Sequence, residues 1–468
     1  MRPIPRWPPE AWLPLLVGLY WLWSAPGHGV PGFVFSVVPG CLLLGSGVAM
    51  LLMPGDLRIS QFAAIGGVLG VVLGLPAFFV VGFWHGLLLI AGSAASFLAA
   101  GHHTVRLEPL PDEVPLPVET IGLAAQVACD EAILATMLLG TTRPRGEDLT
   151  RIPREIDEAR ARFADAGWLE KPADYHTTPP ALTDPELRNA SLRGRSYEHL
   201  RFESGYEPRA GEPGRERWLS YAPNRNAHAW VLRHAGGDRP WLVCIHGYQM
   251  GKPGIDIRAF RPEWLHDQLG INLVLPVQPL HGPRTVFRRS GDGFLGGDIL
   301  DTVHAEAQAM WDIRRLLSWV RAQGEGPVGV YGLSLGGYAT ALLACLDEQL
   351  ACAIPGIPAT DFTRLFFRHS PSLQLREGEF HGLVEAHMQE VLRVVSPLAL
   401  EPRVPRERRY LFAAVSDRLV PADQVRDLWR HWDRPRIEWY QGGHLTFSAH
   451  RAVRRLIADA LRESGLAA

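Results

Sequence analysis

The stretch VYGLSLGGYATALLACL, residues 330–346, sets a single serine, Ser334, among three glycines. Gly332 lies two residues before it, Gly336 two after, and Gly337 follows at once. An apolar run precedes the group and a helix-like run follows it. A strand that turns sharply into a helix must hold one residue in a strained backbone conformation. The residues two before and two after it then approach too closely for side chains, so glycine is required at both. What results is a hydroxyl presented at the carboxyl edge of a sheet, with the next backbone N–H at the start of a helix. This is the G-x-S-x-G nucleophile elbow, read here as Gly332-Leu333-Ser334-Leu335-Gly336. The pattern also occurs as a plain turn, and its place on a strand-to-helix junction is what favours the nucleophile.

A serine hydroxyl is a weak nucleophile until a base takes its proton. His444, in WYQGGHLTF, follows the last strand-like run, and Asp417, in FAAVSDRLVP, follows the run before it. The order Ser334, Asp417, His444 suits a catalytic triad in which Asp417 orients the imidazole and His444 carries the proton. Asp361, in IPATDF, is the rival acid. For the oxyanion, the N–H of Leu335 is one donor. The second is expected from CIHGYQMG, where His246 and Gly247 shape a turn that presents the backbone N–H of Tyr248, or alternatively its phenol.

The surroundings of these motifs set the fold class. EHLRFESGY and NAHAWVLRH read as strands of an antiparallel edge. PWLVCIHGY, INLVLPVQP, PVGVYGLS, LACAIPGIP, RRYLFAAVSD and RIEWYQGGH follow, mostly separated by helical stretches. Near-continuous apolar strands alternating with helices predict an α/β architecture, a mostly parallel sheet covered on both faces. That region is taken as 197–468. Residues 171–195 read as irregular, and 106–196 as a linker with helical segments. The linker includes an amphipathic helix over VETIGLAAQVACDEAILATMLLG with polar positions Glu119, Gln126, Asp130 and Glu131. The long connection 364–405 is a candidate cap over the serine.

Charge divides the chain. Its net charge of −2 gives no electrostatic case for nucleic acid. No Asp, Glu, Lys or Arg occurs from Ala11 to Gly55 or from Ile59 to Val105. Roughly 20 apolar residues cross a bilayer, so residues 1–105 read as an all-α transmembrane region of about four helices in two hairpins. SAPGHGVPG forms the first turn. The basic residues Arg2, Arg6, Arg58 and Arg106 put both termini and the large domain on the cytoplasmic side. The lack of intramembrane charge favours an anchor over a transporter. The five cysteines read as buried reduced thiols. No metal or other cofactor is indicated. In the basic loop PLHGPRTVFRRSGDG, Arg284, Arg288 and Arg289 are candidates for an anionic head group.

HGY, GLSLG, SDRLVP and GGH, in that order, resemble the motifs of the α/β-hydrolase superfamily over roughly residues 197–468. The resemblance implies the α/β-hydrolase fold and an esterase- or lipase-like serine hydrolase. Haloalkane dehalogenases and epoxide hydrolases of that superfamily carry Asp at the elbow, and dienelactone hydrolases carry Cys. Ser334 therefore points to ester, thioester or amide hydrolysis, or to acyl transfer. The expectation is a membrane-anchored enzyme cleaving a small or lipid-like carboxylic ester. The alternatives are a peptidase or acyltransferase of the same fold, and a catalytically silent membrane-bound interaction module.

Overall fold

The computed structural model describes residues 8–24, 29–236 and 238–467. Arg2 and Arg6, and residues 25–28 of the first expected turn, lie outside the described residues. Fifteen α-helices and nine strands are found among them. The strands are β1 (Glu186–Leu192), β2 (Arg195–Glu203), β3 (Asn226–Leu232), β4 (Trp241–Ile245), β5 (Asn272–Val277), β6 (Val328–Leu333), β7 (Ala353–Gly356), β8 (Tyr410–Ala414) and β9 (Arg436–Tyr440). They form one sheet in the order β1-β2-β3-β5-β4-β6-β7-β8-β9.

Pairing is antiparallel from β1 to β5 and parallel among β5, β4, β6, β7 and β8. Every residue of β4, β5 and β6 is buried, because helices cover both faces of a parallel sheet. The register sets Val243 of β4 opposite Val274 of β5 and Val330 of β6. The helices of this region are α6 (Asp148–Asp165), α7 (Arg215–Ser220), α8 (Pro253–Ala259), α9 (Ile299–Arg321), α10 (Leu335–Ala344), α11 (Phe362–His369), α12 (Ser372–Phe380), α13 (Glu385–Leu392), α14 (Ala422–His431) and α15 (Arg451–Glu463). The region 364–405 carries α12, α13 and most of α11, with Leu373 and Phe380 largely exposed to solvent.

The sheet begins earlier than the sequence suggested. β1 occupies part of the stretch expected to be irregular, and pairs with β2 through the turn Arg193-Gly194, where both residues have positive φ. That is the geometry of a tight two-residue hairpin. Nearly all of β1 is exposed, so it has no apolar alternation to betray it.

Five helices precede this region: α1 (Trp12–Ser24), α2 (Gly29–Leu52), α3 (Arg58–Val81), α4 (Phe83–Leu107) and α5 (Ile121–Gly140). Among the described residues, four helices are long and apolar enough to cross a membrane: α2, α3, α4 and α5. α1, expected as a span, has only 13 residues, about 20 Å at 1.5 Å per residue. It packs closely on α2, where a Cβ on Gly18 would fall 2.2 Å from the Leu44 nitrogen. The Trp21 indole donates to Ser93 Oγ of α4 at 2.9 Å. α1 to α3 expose large apolar side chains along their lengths, whereas α4 exposes them only near its start, from Phe83 to Leu88, and α5 only at its ends, Ile121 and Leu139.

The chain divides into two compact units. One comprises Met1–Gly140 together with Ala413–Asp423 and Trp439–Arg451, and the other comprises the remainder. Two expectations about side chains need correction. Cys41 and Cys129 are exposed, and only Cys244, Cys345 and Cys352 are buried. Arg284 cannot meet a head group because it is fully buried, donating to Asp312 Oδ2 at 2.8 Å and to the carbonyls of Val277 and Asn224. Arg288 and Arg289 remain exposed. Removing one partner of a buried pair strands the other charge. Arg284→Met should therefore destabilise the domain by about 3–5 kcal/mol, read by denaturant unfolding of the full chain in detergent.

Candidate active site

Ser334 sits between β6 and α10 with φ 58° and ψ −114°. A non-glycine residue in such a conformation carries about 1–3 kcal/mol of strain. The neighbours hold it there. Its N–H donates to the Gly356 carbonyl of β7 at 3.0 Å, and its carbonyl accepts from Tyr338 N–H at 3.0 Å. The flanking glycines are required by contact rather than by φ. A Cβ on Gly332 would lie 2.0 Å from the Gly336 carbonyl oxygen, and one on Gly336 would lie 1.9 Å from that of Ile245. Leu335 is the first residue of α10, so its N–H is one that a helix leaves without an internal partner.

His246 and Gly247 follow β4 beside this elbow. The His246 ring is fixed at both nitrogens. Nε2 accepts from Gln278 N–H at 3.1 Å, and Nδ1 meets the Gly247 carbonyl at 2.8 Å. Its role is to hold the turn that leads into Tyr248. Burial pushes the Tyr248 phenol up to about 12, so it stays protonated near neutrality.

The structure brings Asp417 and His444 together. Asp417 Oδ2 lies 2.6 Å from His444 Nδ1, and both side chains are buried. Asp417 Oδ1 accepts from the N–H groups of Leu419 and Val420 at 2.9 and 2.8 Å, which fixes the carboxylate from its other side. A carboxylate on Nδ1 assigns the proton to that nitrogen and leaves Nε2 as a base. Burial disfavours the imidazolium. The charge and hydrogen bond of Asp417, with the charge of Asp130, outweigh it and raise the His444 pKa above the ordinary histidine value. The rival acid Asp361 is occupied elsewhere, capping α11 by accepting from Arg364 N–H at 3.0 Å.

Two further acids stand beside this pair. Asp130 Oδ2 accepts from His444 N–H at 2.7 Å and from Arg418 N–H at 3.3 Å. Glu131 Oε1 accepts from Arg418 Nε at 2.7 Å, and the Arg418 guanidinium also contacts Glu108. Both acids come from α5, where the sequence alone reads them as the polar face of an amphipathic helix. The available signal was that they are the only charged residues between Ile121 and Gly140. Among the described residues, no group of three or more His, Cys, Asp or Glu side chains is arranged to hold a metal ion.

The family model for "Alpha/beta hydrolase domain containing 18" matches residues 297–368, the segment that contains the elbow. "Uncharacterized protein MT2702" of Mycobacterium tuberculosis (strain CDC 1551 / Oshkosh) is 43% identical over 385 residues, covering 81% of this chain and 92% of that protein. Two solved structures are similar in part. Acetyl xylan esterase from Paenibacillus sp. R4 has 17% identity and a TM-score of 0.43, covering 62% of this chain and 99% of that one. Acetyl xylan esterase 1 from Thermoanaerobacterium sp. JW/SL YS485 has 15% identity and a TM-score of 0.45, covering 64% and 93%.

The electrostatics of the buried pair can be read directly. In an NMR titration the His444 imidazole should gain its second proton above about pH 6.5, and Asp417→Asn should move that midpoint down. An unmoved midpoint would contradict the assigned cause.

Proposed function

Because the chain belongs to the α/β-hydrolase superfamily, and to the same family as the mycobacterial protein, we propose that it is a membrane-anchored serine hydrolase of carboxylic esters. Ser334 Oγ attacks the ester carbonyl carbon while its proton passes to His444 Nε2. Asp417 stabilises the imidazolium that forms. The N–H groups of Leu335 and Tyr248 receive the negative oxygen of the tetrahedral intermediate, a contribution of about 3–4 kcal/mol per donor in such sites. Collapse breaks the C–O bond to the alcohol, which leaves with the proton from His444. A water then adds to the acyl-enzyme, giving its proton to His444. The acid departs as Ser334 recovers its own proton.

The observation that carries this reading is the strained backbone at Ser334, enforced by glycine contacts that a plain turn does not need. The buried Asp417–His444 bond supplies a base of the required kind. For substrate, we favour esters with an apolar acyl group. The apolar helices of the N-terminal region keep the enzyme at a lipid surface, and α12 of the region 364–405 displays Leu373 and Phe380 as a cap surface.

α1 to α4 serve as the anchor in this reading. One end of the bundle carries Arg58 and Arg106, the latter paired with Glu10 at 2.8 Å, while exposed Trp23, Phe83 and Trp84 lie at the other ends of their helices. Basic residues favour the cytoplasmic face and tryptophan the interface, so the catalytic domain is assigned to the cytoplasm. A fluorescent-protein fusion after the last residue should glow, and a phosphatase fusion there should be inactive. An active phosphatase would reverse the assignment.

The chemistry is tested with a fluorophosphonate probe on the full chain in detergent. Wild type should be labelled, and Ser334→Ala should not. Asp417→Asn should lose about 10⁴-fold in kcat toward an aryl ester. Undiminished labelling of folded Ser334→Ala protein would refute the serine assignment.

A further inference from the structure

The catalytic histidine is held by an element far from it in sequence. His444 is bonded through its ring to Asp417, and through its backbone N–H to Asp130 of α5, 314 residues earlier. The same Asp130 oxygen accepts from the N–H of Arg418, the residue next to Asp417. One carboxyl group therefore ties together the loop that carries the base and the loop that carries its acid. Asp130 is fully buried, and its Oδ1 has no hydrogen-bond partner among the described residues. A buried polar atom in that state costs stability, so its retention calls for an explanation.

The loop is shaped to receive it. Gly443, immediately before His444, has φ −105°, so backbone freedom does not explain the glycine. A Cβ there would lie 2.6 Å from Asp130 Oδ2. A Cβ on Gly442 would lie 2.7 Å from Thr446 Oγ1 of its own loop and 2.8 Å from Gln126 Oε1, which accepts from that hydroxyl at 2.7 Å. The two glycines are thus the space in which one face of α5 meets the histidine loop. On its other side α5 is pressed against α4, where a Cβ on Gly101 would fall 1.9 Å from the Ala124 carbonyl oxygen. Glu131 adds a second tie, pairing with Arg418 at 2.7 Å and accepting from Thr104 of α4 at 3.2 Å.

We propose that Asp130 is a positioning residue for the His444–Asp417 pair, so that the N-terminal region is a working part of the catalytic apparatus and not only a tether. The inference rests on the serine-hydrolase reading for its kinetic consequence, though not for its geometry. The Asp130 carboxyl fixes the His444 backbone; burial and the charge of Asp417 push it up to about 7, so near neutrality it holds part of a charge, which adds to that of Asp417 in favouring the imidazolium. The groups facing the His444 imidazole in this unit are Asp417 and Asp130, with Arg418 between Asp130 and Glu131 behind them.

The test uses the full chain in detergent with two readouts. The first is kcat and KM for an aryl ester. The second is the downfield proton resonance of His444 Nδ1–H, which needs no turnover. Asp130→Ala should lower kcat about 10- to 100-fold, by analogy with the loss seen when an outer partner that orients a metal-bound histidine is removed. KM should stay within about threefold, since no substrate contact is lost. The Nδ1–H resonance should move. If Asp130→Ala does not fold, the isosteric Asp130→Asn decides. It keeps an acceptor but removes the charge that Asp130 retains, so kcat should fall less than in Asp130→Ala and the resonance should again move. Wild-type kcat and an unmoved resonance in either folded variant would overturn the proposal. If wild type takes no probe at Ser334, the hydrolase reading fails by itself, and the resonance still decides whether Asp130 positions His444.

Discussion

Backbone crowding between β6 and α10 is the constraint on which the rest depends. Three chain segments meet there: the end of β6, the first turn of α10, and the end of β4 at Ile245 and His246. The carbonyls of Ile245 and Gly336 occupy the places where side chains at Gly336 and Gly332 would stand. With both positions bare, the chain can reverse within a few residues and leave Ser334 at φ 58°. The bonds from Ser334 to Gly356 and Tyr338 then hold a conformation that this residue would not adopt alone. Sheet register, helix placement and hydroxyl presentation are thus one packing solution.

Much of this was legible because its causes are local. G-x-S-x-G states its own geometry, and the eight expected strands became β2 to β9; β4 to β8 are plainest because strands buried on both faces must be apolar throughout. Asp417 and His444 stand out by their places after strands, and the structure brings the two side chains together. Other features have distant causes. β1 has no buried face to produce a pattern and is held by pairing with β2 alone. Arg284 lies in a loop that looks solvated, yet its charge is matched by Asp312 on α9. Nothing near Arg284 in sequence announces that partner. Asp130 was visible as a polar position on a helix. What it bonds to is set 288 and 314 residues downstream.

The charges gathered behind His444 illustrate why such partners escape sequence reading. Arg418, Glu131 and Asp130 are all buried, and isolated charges in that setting would be costly. They are tolerated as a group, because Arg418 is shared between Glu131 and Glu108, while Asp130 takes backbone N–H donors. Each residue alone reads as surface. Only the assembled set accounts for an acidic pair in a helix that is otherwise uncharged.

That set also changes what the N-terminal region is for. A tether needs only length and apolarity, which α2, α3 and α4 have. α5 has them too, yet it carries two acids directed at the loops bearing Asp417 and His444, and those loops belong to the same compact unit as α1 to α5. A simple anchor would gain nothing from Asp130 and would lose stability by burying it. The glycines at 442 and 443 make the same point from the other partner, since neither has a positive φ and both are crowded by α5. A histidine loop shaped to fit a helix from the apolar region is the arrangement expected where the orientation of the base depends on that region being in place.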